Sequence, residues 1–434
     1  MISDGLALTQ EQADVVTAVV EQGRSLFVTG RAGTGKSTLL NHLVSILPGS
    51  TAVCAPTGVA ALNVGGQTIH SLFRLRPGIQ DFSKLGRYLS GETRQTLRGI
   101  DTLIIDEVSM VTAELMDAVD RCMRIAKGRS RTPFGGAQVV MFGDPYQLAP
   151  VEPRTAQERA YYADRYPSLW FFDARVWDMY DLSVVELSQI HRQHDDGFKQ
   201  LLNGIRDGTV PPHWMVSLNQ RFVRRPADTD EPIITLAATN RAVDATNEKK
   251  MAALPGRPHT YPAIVEGDFS PSMFPVEQSL QLKVGAQVMF LRNDPDGRWV
   301  NGTIGTVSQL SRDAVSVLVD GDEVTVEAVA WERYVYTFDD SSGSVEAEQV
   351  GEFVQSPLRP AWAVTIHKSQ GQTYDRAVID LGRRAFSAGQ VYVALSRLTT
   401  LDGLYLTREI RPSDIIVDDR VKSFMDDARS RTLL

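Results

Sequence analysis

The chain has 434 residues, of which 43% are hydrophobic and 23% charged, with a formal net charge of −8. This length predicts roughly two to four domains, and the composition is that of an ordinary soluble globular protein. The acidic balance excludes a wholly basic nucleic-acid coat but leaves room for a local basic track. Cys54 and Cys122, the two cysteines, lack a metal-type cluster of partners and read as reduced structural thiols of an intracellular protein. The N-terminal Met1-Ile2-Ser3-Asp4-Gly5 has neither the basic region nor the apolar core of a signal peptide. No apolar stretch approaches the roughly 20 residues that span a bilayer. A cytoplasmic protein without a membrane partner is expected.

Residues 9–22 have the spacing of an amphipathic helix, and Thr9-x-x-Gln12 is a capping-box pattern at its start. Gln12 serves that box, or its amide reads an adenine edge; one residue can do both. Ser25–Thr29 is a predicted strand. It leads into Gly30-Arg31-Ala32-Gly33-Thr34-Gly35-Lys36-Ser37, which opens a predicted helix. That is the strand–loop–helix setting of a phosphate-binding loop. The glycines let backbone N–H groups wrap phosphates, and the helix N-terminus adds positive potential. Lys36 can reach the β- and γ-phosphates, and the Ser37 hydroxyl can bind Mg²⁺. A plain Gly-rich turn would not require Lys-Ser at its end.

Further strands are predicted at Thr51–Ala55, Thr102–Asp106 and Gln138–Gly143, alternating with helices. This alternation implies right-handed βαβ units and a parallel sheet covered on both faces. After the first of these strands come Ala55-Pro56-Thr57-Gly58 and then Gly66-Gln67-Thr68-Ile69-His70-Ser71-Leu72-Phe73. Hydroxyls, a histidine and small residues at a strand end suit phosphate and sugar contacts along a single strand of nucleic acid. Phe73 or Trp362 is a candidate ring for base stacking, although an isolated aromatic more often belongs to a core. Residues 74–98 form a small basic insertion, with Arg74, Arg76, Lys84, Arg87, Arg94 and Arg98 against Asp81 and Glu92. The strand Thr102–Asp106 ends in Asp106-Glu107. Asp106 is placed to hold Mg²⁺, directly or through water, and Glu107 to orient or deprotonate the attacking water. A helix-capping acid pair is the alternative. The strand Gln138–Gly143 ends in Asp144-Pro145-Tyr146-Gln147. Gln147 is either a surface turn residue or a partner of the γ-phosphate or the attacking water.

A second alternating region begins near Val184, with strands at Ile233–Ala238, Ala363–Ile366, Ala377–Asp380 and Leu404–Leu406. Two open α/β lobes are predicted, with their boundary near residue 180. Inside the second, short β-type runs at Ala286–Leu291, Thr303–Ser308, Ala314–Val319 and Glu323–Val329 alternate with turn signals. That spacing predicts a small inserted β-barrel over 283–358, with Asp339-Asp340-Ser341-Ser342-Gly343 as an exposed loop. Ala363–Thr373, which contains Thr365, His367 and Lys368, repeats the strand-end pattern of hydroxyls, histidine and small residues. His70 and His367 have no cysteine or carboxylate companions at metal spacing. Arg192 and Arg397 stand out in this half. Each alone reads as a surface ion-pair residue. Together, in a lobe without its own phosphate loop, they predict a cleft that closes on ATP, where an arginine finger adds on the order of 10³–10⁵ in rate.

Taken together and in this order, these segments resemble superfamily-one DNA helicases of the 5′→3′ class. The PIF (petite integration frequency) family is nearest and RecD-like helicases are more distant. The anchors are Arg31–Ser37, Ile105-Asp106-Glu107-Val108-Ser109-Met110, Gly143-Asp144-Pro145-Tyr146-Gln147-Leu148 and His367-Lys368-Ser369-Gln370-Gly371-Gln372-Thr373. Pro133-Phe134-Gly135-Gly136 resembles part of the family signature. Leu282–Met289 with Asn301-Gly302-Thr303-Ile304-Gly305 resembles its inserted SH3-like barrel. The match runs from Leu8 to Tyr405.

The resemblance implies an α/β fold of two RecA-like parallel-sheet lobes. These are 1–73 with 99–180, and 181–282 with 359–434. A wedge insertion at 74–98 belongs to the first and an SH3-like barrel at 283–358 to the second. It implies a DNA-stimulated ATP hydrolase that uses ATP and Mg²⁺, translocates 5′→3′ on single-stranded DNA and unwinds forked or partial duplex as a monomer, in replication, repair, recombination or telomere maintenance. By position, Gln12 contacts adenine, and Gly30, Gly33, Thr34, Gly35, Lys36, Ser37, Thr38 and Gly371 surround the nucleotide. Ser37 and Asp106 hold the metal, Glu107 acts on water, Gln147 senses the γ-phosphate, and Arg192 and Arg397 are the fingers. Pro56, Thr57, Thr68, His70, Phe73, Thr365, His367 and Lys368 touch DNA. Asp144-Pro145-Tyr146 departs mildly from the commoner pattern. No long extra N-terminal domain is present, so the organelle targeting and regulation of larger relatives are not implied.

Other classes fit less well. Tyr88-Leu89-Ser90-Gly91-Glu92 partly imitates the signature of ATP-binding-cassette ATPases, but the following Gly-Gln is missing and the second lobe is left unexplained. A small-molecule kinase needs no His-Lys-Ser-Gln-Gly-Gln-Thr segment. A nucleic-acid-binding regulator with a dead ATPase conflicts with intact Lys36, Asp106 and Glu107. A RecD-like subunit of a nuclease complex stays open. The direction of travel comes from the resemblance alone.

Overall fold

Six short apolar runs build the first sheet. They are β1 (Leu26–Gly30), β2 (Thr51–Ala55), β3 (Gln67–Thr68), β4 (Thr102–Ile105), β5 (Gln138–Phe142) and β6 (Ser183–Leu187). In the computed structural model, which describes residues 8–431 except 48, 77, 154, 181, 194, 223–231 and 343, they lie in the order β3-β2-β4-β5-β1-β6, all parallel. The Met1–Gly5 segment and Gly343 lie outside the described residues. β1 and β4 are buried at every position, as a parallel sheet covered on both faces requires. Alternate residues serve the two faces. Leu26, Val28, Ile104 and Val140 pack with Val15, Leu39, Leu40 and Leu43 of the helices on one side. Phe27, Leu103, Ile105 and Met141 pack with Met116, Val119 and Met123 of the helix Ala113–Lys127 on the other.

β6 corrects the expected lobe boundary. The region from Val184 is expected in the second lobe, but its first strand, β6, pairs with β1 from Leu26–Ser183 to Gly30–Leu187. Alternation of strands and helices shows that a strand exists, not which sheet it joins. Gly30 makes the pairing possible, because a Cβ there would lie 2.6 Å from the Leu187 carbonyl oxygen. The second lobe's sheet is parallel and four-stranded, in the order Ala363–Thr365, Ile234–Ala237, Ala377–Asp380, Leu404–Leu406.

The inserted barrel is an antiparallel sheet ordered Asp322–Glu327, Ala314–Val319, Ile304–Leu310, Gln287–Phe290, Leu358–Pro360. It starts earlier than residue 283. His259–Pro262 pairs with Ser279–Leu282, and Tyr261, Leu280 and Leu282 share the apolar cluster of Val288, Val315 and Val317. The expected run of short strands also misses a long hairpin, Val329–Asp339 with Ser344–Gln355. Nearly all of its first strand is half-buried, so no in–out alternation marks it in the sequence. Asp339–Ser342 turn it, with the Asp339 carboxylate accepting from Ser341 and Ser342.

The hairpin tip reaches the first lobe. The Tyr336 hydroxyl accepts from the Val53 N–H at 2.9 Å, and Gln95 Nε2 donates to Asp340 Oδ1 at 2.5 Å. Residues 74–98 are thus held between hairpin and lobe. Leu75, Leu85, Leu89 and Leu97 are buried on the first lobe's core, while Arg74, Arg76, Lys84, Arg87, Arg94 and Arg98 stay exposed.

Phe73 is a second correction. Its ring is 0% exposed, inside the main apolar cluster, so it is no stacking platform for a base. The short helix Ile69–Leu72 ends on it and turns it inward. Phe73→Ala is expected to lower the unfolding free energy by about 3–5 kcal/mol. Chemical denaturation measures this, and affinity for single-stranded DNA per folded molecule should not change.

Candidate nucleotide-hydrolysis site and nucleic-acid face

The loop after β1 is shaped by three glycines at positive φ: Gly30 (151°), Gly33 (84°) and Gly35 (78°). At each, a Cβ would meet a neighbour, the Arg192 Cβ at 2.6 Å from Gly33 and the Gln12 amide at 2.8 Å from Gly35. The helix Lys36–Ile46 begins directly after the loop. Lys36 Nζ donates to the Gly30 and Arg31 carbonyls at 2.7 and 3.0 Å. Burial lowers its pKa, and the charges of Asp144 and Glu107 act against that shift. Ser37 and Thr38 are exposed in the first helical turn, and Thr34 is buried. Gln12 fills the capping role and also reaches the loop. It completes the capping box with Thr9, and its Nε2 donates to the Thr34 carbonyl at 3.3 Å.

Asp106 and Glu107 follow β4. Glu107 sits at φ 47°, a left-handed conformation, and its side chain does not cap the short helix that follows. Burial raises the pKa of both acids. For Glu107 the neighbouring Asp106 charge adds to the rise, and Lys36 and Arg397 oppose it. A carboxylate held toward neutrality in this way is a candidate proton acceptor. After β5, Asp144 Oδ2 accepts from Gln147 Nε2 at 3.2 Å. Gln147 is 9% exposed, so it is not a surface turn residue. Its Oε1 accepts from Gln370 Nε2 of the second lobe at 3.3 Å.

Arg397 enters from the second lobe, whereas Arg192, expected there too, follows β6 of the first sheet. The His191 N–H donates to the Gly33 carbonyl at 2.8 Å, which seats Arg192 over the loop. Arg192 Nη1 donates to the Ser396 carbonyl at 3.1 Å. Burial and the adjacent Arg397 push its pKa down to about 9. Arg397 is 2% exposed. Its guanidinium donates to the Val393 carbonyl at 3.1 Å and the Ser396 hydroxyl at 3.0 Å, and burial lowers its pKa. It follows the helix Gln390–Leu395, which makes two further contacts with the first lobe. The Tyr392 hydroxyl accepts from the Ala32 N–H at 3.0 Å. Gly389, the N-cap of that helix at φ 72°, lies so close to the first lobe that a Cβ there would be 2.0 Å from the Gln147 carbonyl oxygen.

Three threonines stand at equivalent strand ends. Thr57, Thr68 and Thr365 accept from the N–H groups of Ala60, Ser71 and Lys368. Each hydroxyl keeps its own hydrogen to donate. His367 and Lys368 are exposed, and Pro56 and His70 are partly buried. Gly371, at φ 78°, is exposed and has open space around it.

The chain is 35% identical over 430 residues to the ATP-dependent DNA helicase Pif1 of Bdellovibrio bacteriovorus, an alignment covering 96% of this chain and 92% of that protein. It belongs to the PIF1-like helicase family. The family model for PIF1-like helicases matches residues 7–213, and that for the 2B domain of the DNA helicase Pif1 matches residues 272–310. Human ATP-dependent DNA helicase PIF1 is 35% identical, and this chain spans 63% of its length. The crystal structure of Bacteroides sp. Pif1 in complex with ADP-AlF4 superposes with a TM-score of 0.91 at 35% identity, covering 98% of both chains. The Bacteroides Pif1 structure bound to ssDNA superposes at 0.70.

Three polar residues of this PIF1-like site have no individual role in the sequence reading. Tyr392 and Gln370 act across the cleft, and Arg206 lies 3.6 Å from Asp144. Gln370 lay inside a recognised motif. Tyr392 and Arg206 sit in helices whose patterns are otherwise ordinary. Among the described residues no helix is long and apolar enough to cross a membrane.

Proposed function

We propose that the chain is an ATP-dependent DNA helicase in which two lobes close on one nucleotide and step along single-stranded DNA. The observation that carries this reading is the convergence of Arg397 from the second lobe with Lys36, Glu107, Gln147 and Arg192, which all follow strands of the first sheet. Glu107 takes a proton from water as the water oxygen bonds to the γ-phosphorus. The bond to the ADP oxygen breaks, and the two arginines balance the charge spread over the phosphoryl oxygens. Gln147 senses the γ-phosphate, and Gln12 contacts the adenine. The backbone of Gly30, Gly33, Thr34 and Gly35, with Thr38 and Gly371 at the margin, surrounds the nucleotide. Ser37 and Asp106 supply hard oxygen donors at the C-terminal edge of one parallel sheet, the donor chemistry that suits Mg²⁺. The ion would supply charge neutralisation.

On the nucleic-acid face, the hydroxyls of Thr57, Thr68 and Thr365 with Pro56, His70, His367 and Lys368 form equivalent contacts in both lobes. Alternate grip by the two sets turns each ATP cycle into a step. The basic segment 74–98 lies at the fork as the wedge. Opening a base-pair step costs about 1.4 kcal/mol, so a wedge that blocks reannealing while the motor advances is sufficient. The working unit is one chain in the cytoplasm. A related Pif1 structure describes two coordinating helicases at forked dsDNA, so the number of copies at a fork is part of the test.

The test is unwinding of partial duplexes carrying a 5′ or a 3′ tail, alongside ATP hydrolysis with and without single-stranded DNA. Hydrolysis should be strongly DNA-stimulated, and only the 5′-tailed substrate should open. Binding should weaken steeply with salt as phosphate contacts release counterions. Preference for a 3′ tail would overturn the direction, and an ATPase indifferent to DNA would overturn the motor.

A further inference from the structure

Arg206, in the last turn of the helix Asp196–Asp207, is a buried cation that the hydrolysis chemistry above does not use; it is 1% exposed. Its helix packs beside Gln390–Leu395, and Phe198, Leu201 and Ile205 share an apolar cluster with Val391 and Leu395. Apart from Asp207 of its own helix, whose Oδ1 lies 3.8 Å from Nη1, the groups it meets belong to the first sheet or follow its strands. Nη2 lies 3.0 Å from Glu186 Oε1 on β6 and 3.6 Å from Asp144 Oδ1 after β5. The guanidinium carbon stands 4.1 Å from the centre of the Tyr146 ring. Nε and Nη1 have no hydrogen-bond partner. A buried arginine that leaves most of its donor fork unused is poor evidence of a stabilising ion pair.

Asp144 joins this cation to the hydrolysis site. Its carboxylate accepts from the Tyr146 N–H and from Gln147 Nε2, both at 3.2 Å, and Gln147 in turn accepts from Gln370 at 3.3 Å. One line of contacts therefore runs from the second lobe through Asp144 and Gln147 and back to the segment that bears Thr365, His367 and Lys368.

We propose that Arg206 is a positioning residue for DNA-coupled ATP turnover, clamping Asp144 across the lobe interface so that Gln147 is set for hydrolysis and tied to Gln370 while the lobes are closed. The 3.6 Å approach and the two unused nitrogens leave room for a bidentate Arg206–Asp144 pair, the strongest geometry open to these groups. Although burial opposes its charge, Asp144, Tyr392 and Glu186 hold the Arg206 pKa above its ordinary value, so the clamp keeps its charge throughout the cycle. Glu186 is also engaged by Arg429 Nε at 2.9 Å and Asp207 moves with Arg206 on the same helix, which leaves Asp144 as the carboxylate that can respond across the interface. This inference rests on the helicase reading.

The experiment compares ATP hydrolysis by the full chain and its Arg206→Gln and Arg206→Lys variants, with and without an oligothymidylate, with thermal unfolding of each. The ratio of stimulated to unstimulated rate should fall about tenfold or more in Arg206→Gln, with KM for ATP within about threefold and partial recovery in Arg206→Lys. A merely structural arginine would scale both rates with the folded fraction and leave the ratio unchanged, and that result overturns the proposal. Should Arg206→Gln fail to fold, Asp144→Asn keeps the shape and removes the charge that Arg206 grips. A normal ratio in folded Asp144→Asn overturns the proposal equally. A parent chain with no stimulation would overturn the helicase reading and this proposal with it. A stimulated parent with an unaltered variant ratio overturns the proposal alone.

Discussion

Arg397→Ala should lower DNA-stimulated ATP turnover by a factor on the order of 10³–10⁵, the range in which arginine fingers act. The side chain is fully buried beside Glu107 and Asp144, and its printed hydrogen bonds go to neutral groups: the carbonyls of Val393, Ser369 and Gln372 and the Ser396 hydroxyl. A desolvated guanidinium without a direct carboxylate partner is costly in the free protein. It is compensated where a triphosphate brings negative charge. The variant should therefore melt no lower than the parent in the absence of nucleotide and lose much of the stabilisation that ATP gives. Arg397→Lys should recover little, because a point charge cannot reproduce the planar fork. Stopped-flow phosphate release and thermal unfolding with and without nucleotide measure both effects. Turnover within tenfold of the parent would remove Arg397 from the chemistry.

Glu107→Gln should reduce the hydrolysis step by about 10²–10⁴, the span of general-base catalysis, while nucleotide and DNA affinities stay close to those of the parent. Glutamine fills the same volume and tolerates the φ 47° backbone about as well as glutamate does, so the fold should be unaffected. The carboxylate is held above its usual range by burial and by Asp106, which is the condition for accepting a proton near neutrality. Single-turnover hydrolysis separates this from product release. The variant should also trap the chain on single-stranded DNA in the presence of ATP, a state visible as prolonged residence. Near-normal single-turnover hydrolysis by this variant would assign the proton to another acceptor.

Much of the nucleotide site is legible in the sequence because its chemistry is local. A glycine loop followed by Lys36-Ser37, and acids at the end of an apolar run, are adjacent along the chain and need only one strand–loop–helix unit to become a site. Four strands of the first sheet are visible for the same reason: buried apolar runs of four to five residues are bounded by turns, whereas the two-residue β3 is too short to read. What stays hidden depends on distant pairing. β6 joins the first sheet through an edge that no local pattern specifies. The first strand of the hairpin, Val329–Asp339, is half-buried at nearly every position and shows no period of two. Arg206 is an ordinary last-turn arginine of an amphipathic helix until Asp144, 62 residues earlier in the numbering, is brought to it by the fold. Phe73 shows the opposite error. A motif that ends in an aromatic invites a role in recognition, and burial decides otherwise.

The contact at Gly389 is made by main chain against main chain, since the residue offers no side chain to the Tyr146 and Gln147 carbonyls it faces. Side chains swap rotamers and absorb small displacements. A peptide backbone pressed on a peptide backbone has no such slack. On the helicase reading, a shift of the strand tip toward Gly389 would be passed to the helix that starts there and ends at Arg397. The missing methyl group at Gly389 is what lets the two backbones come this close.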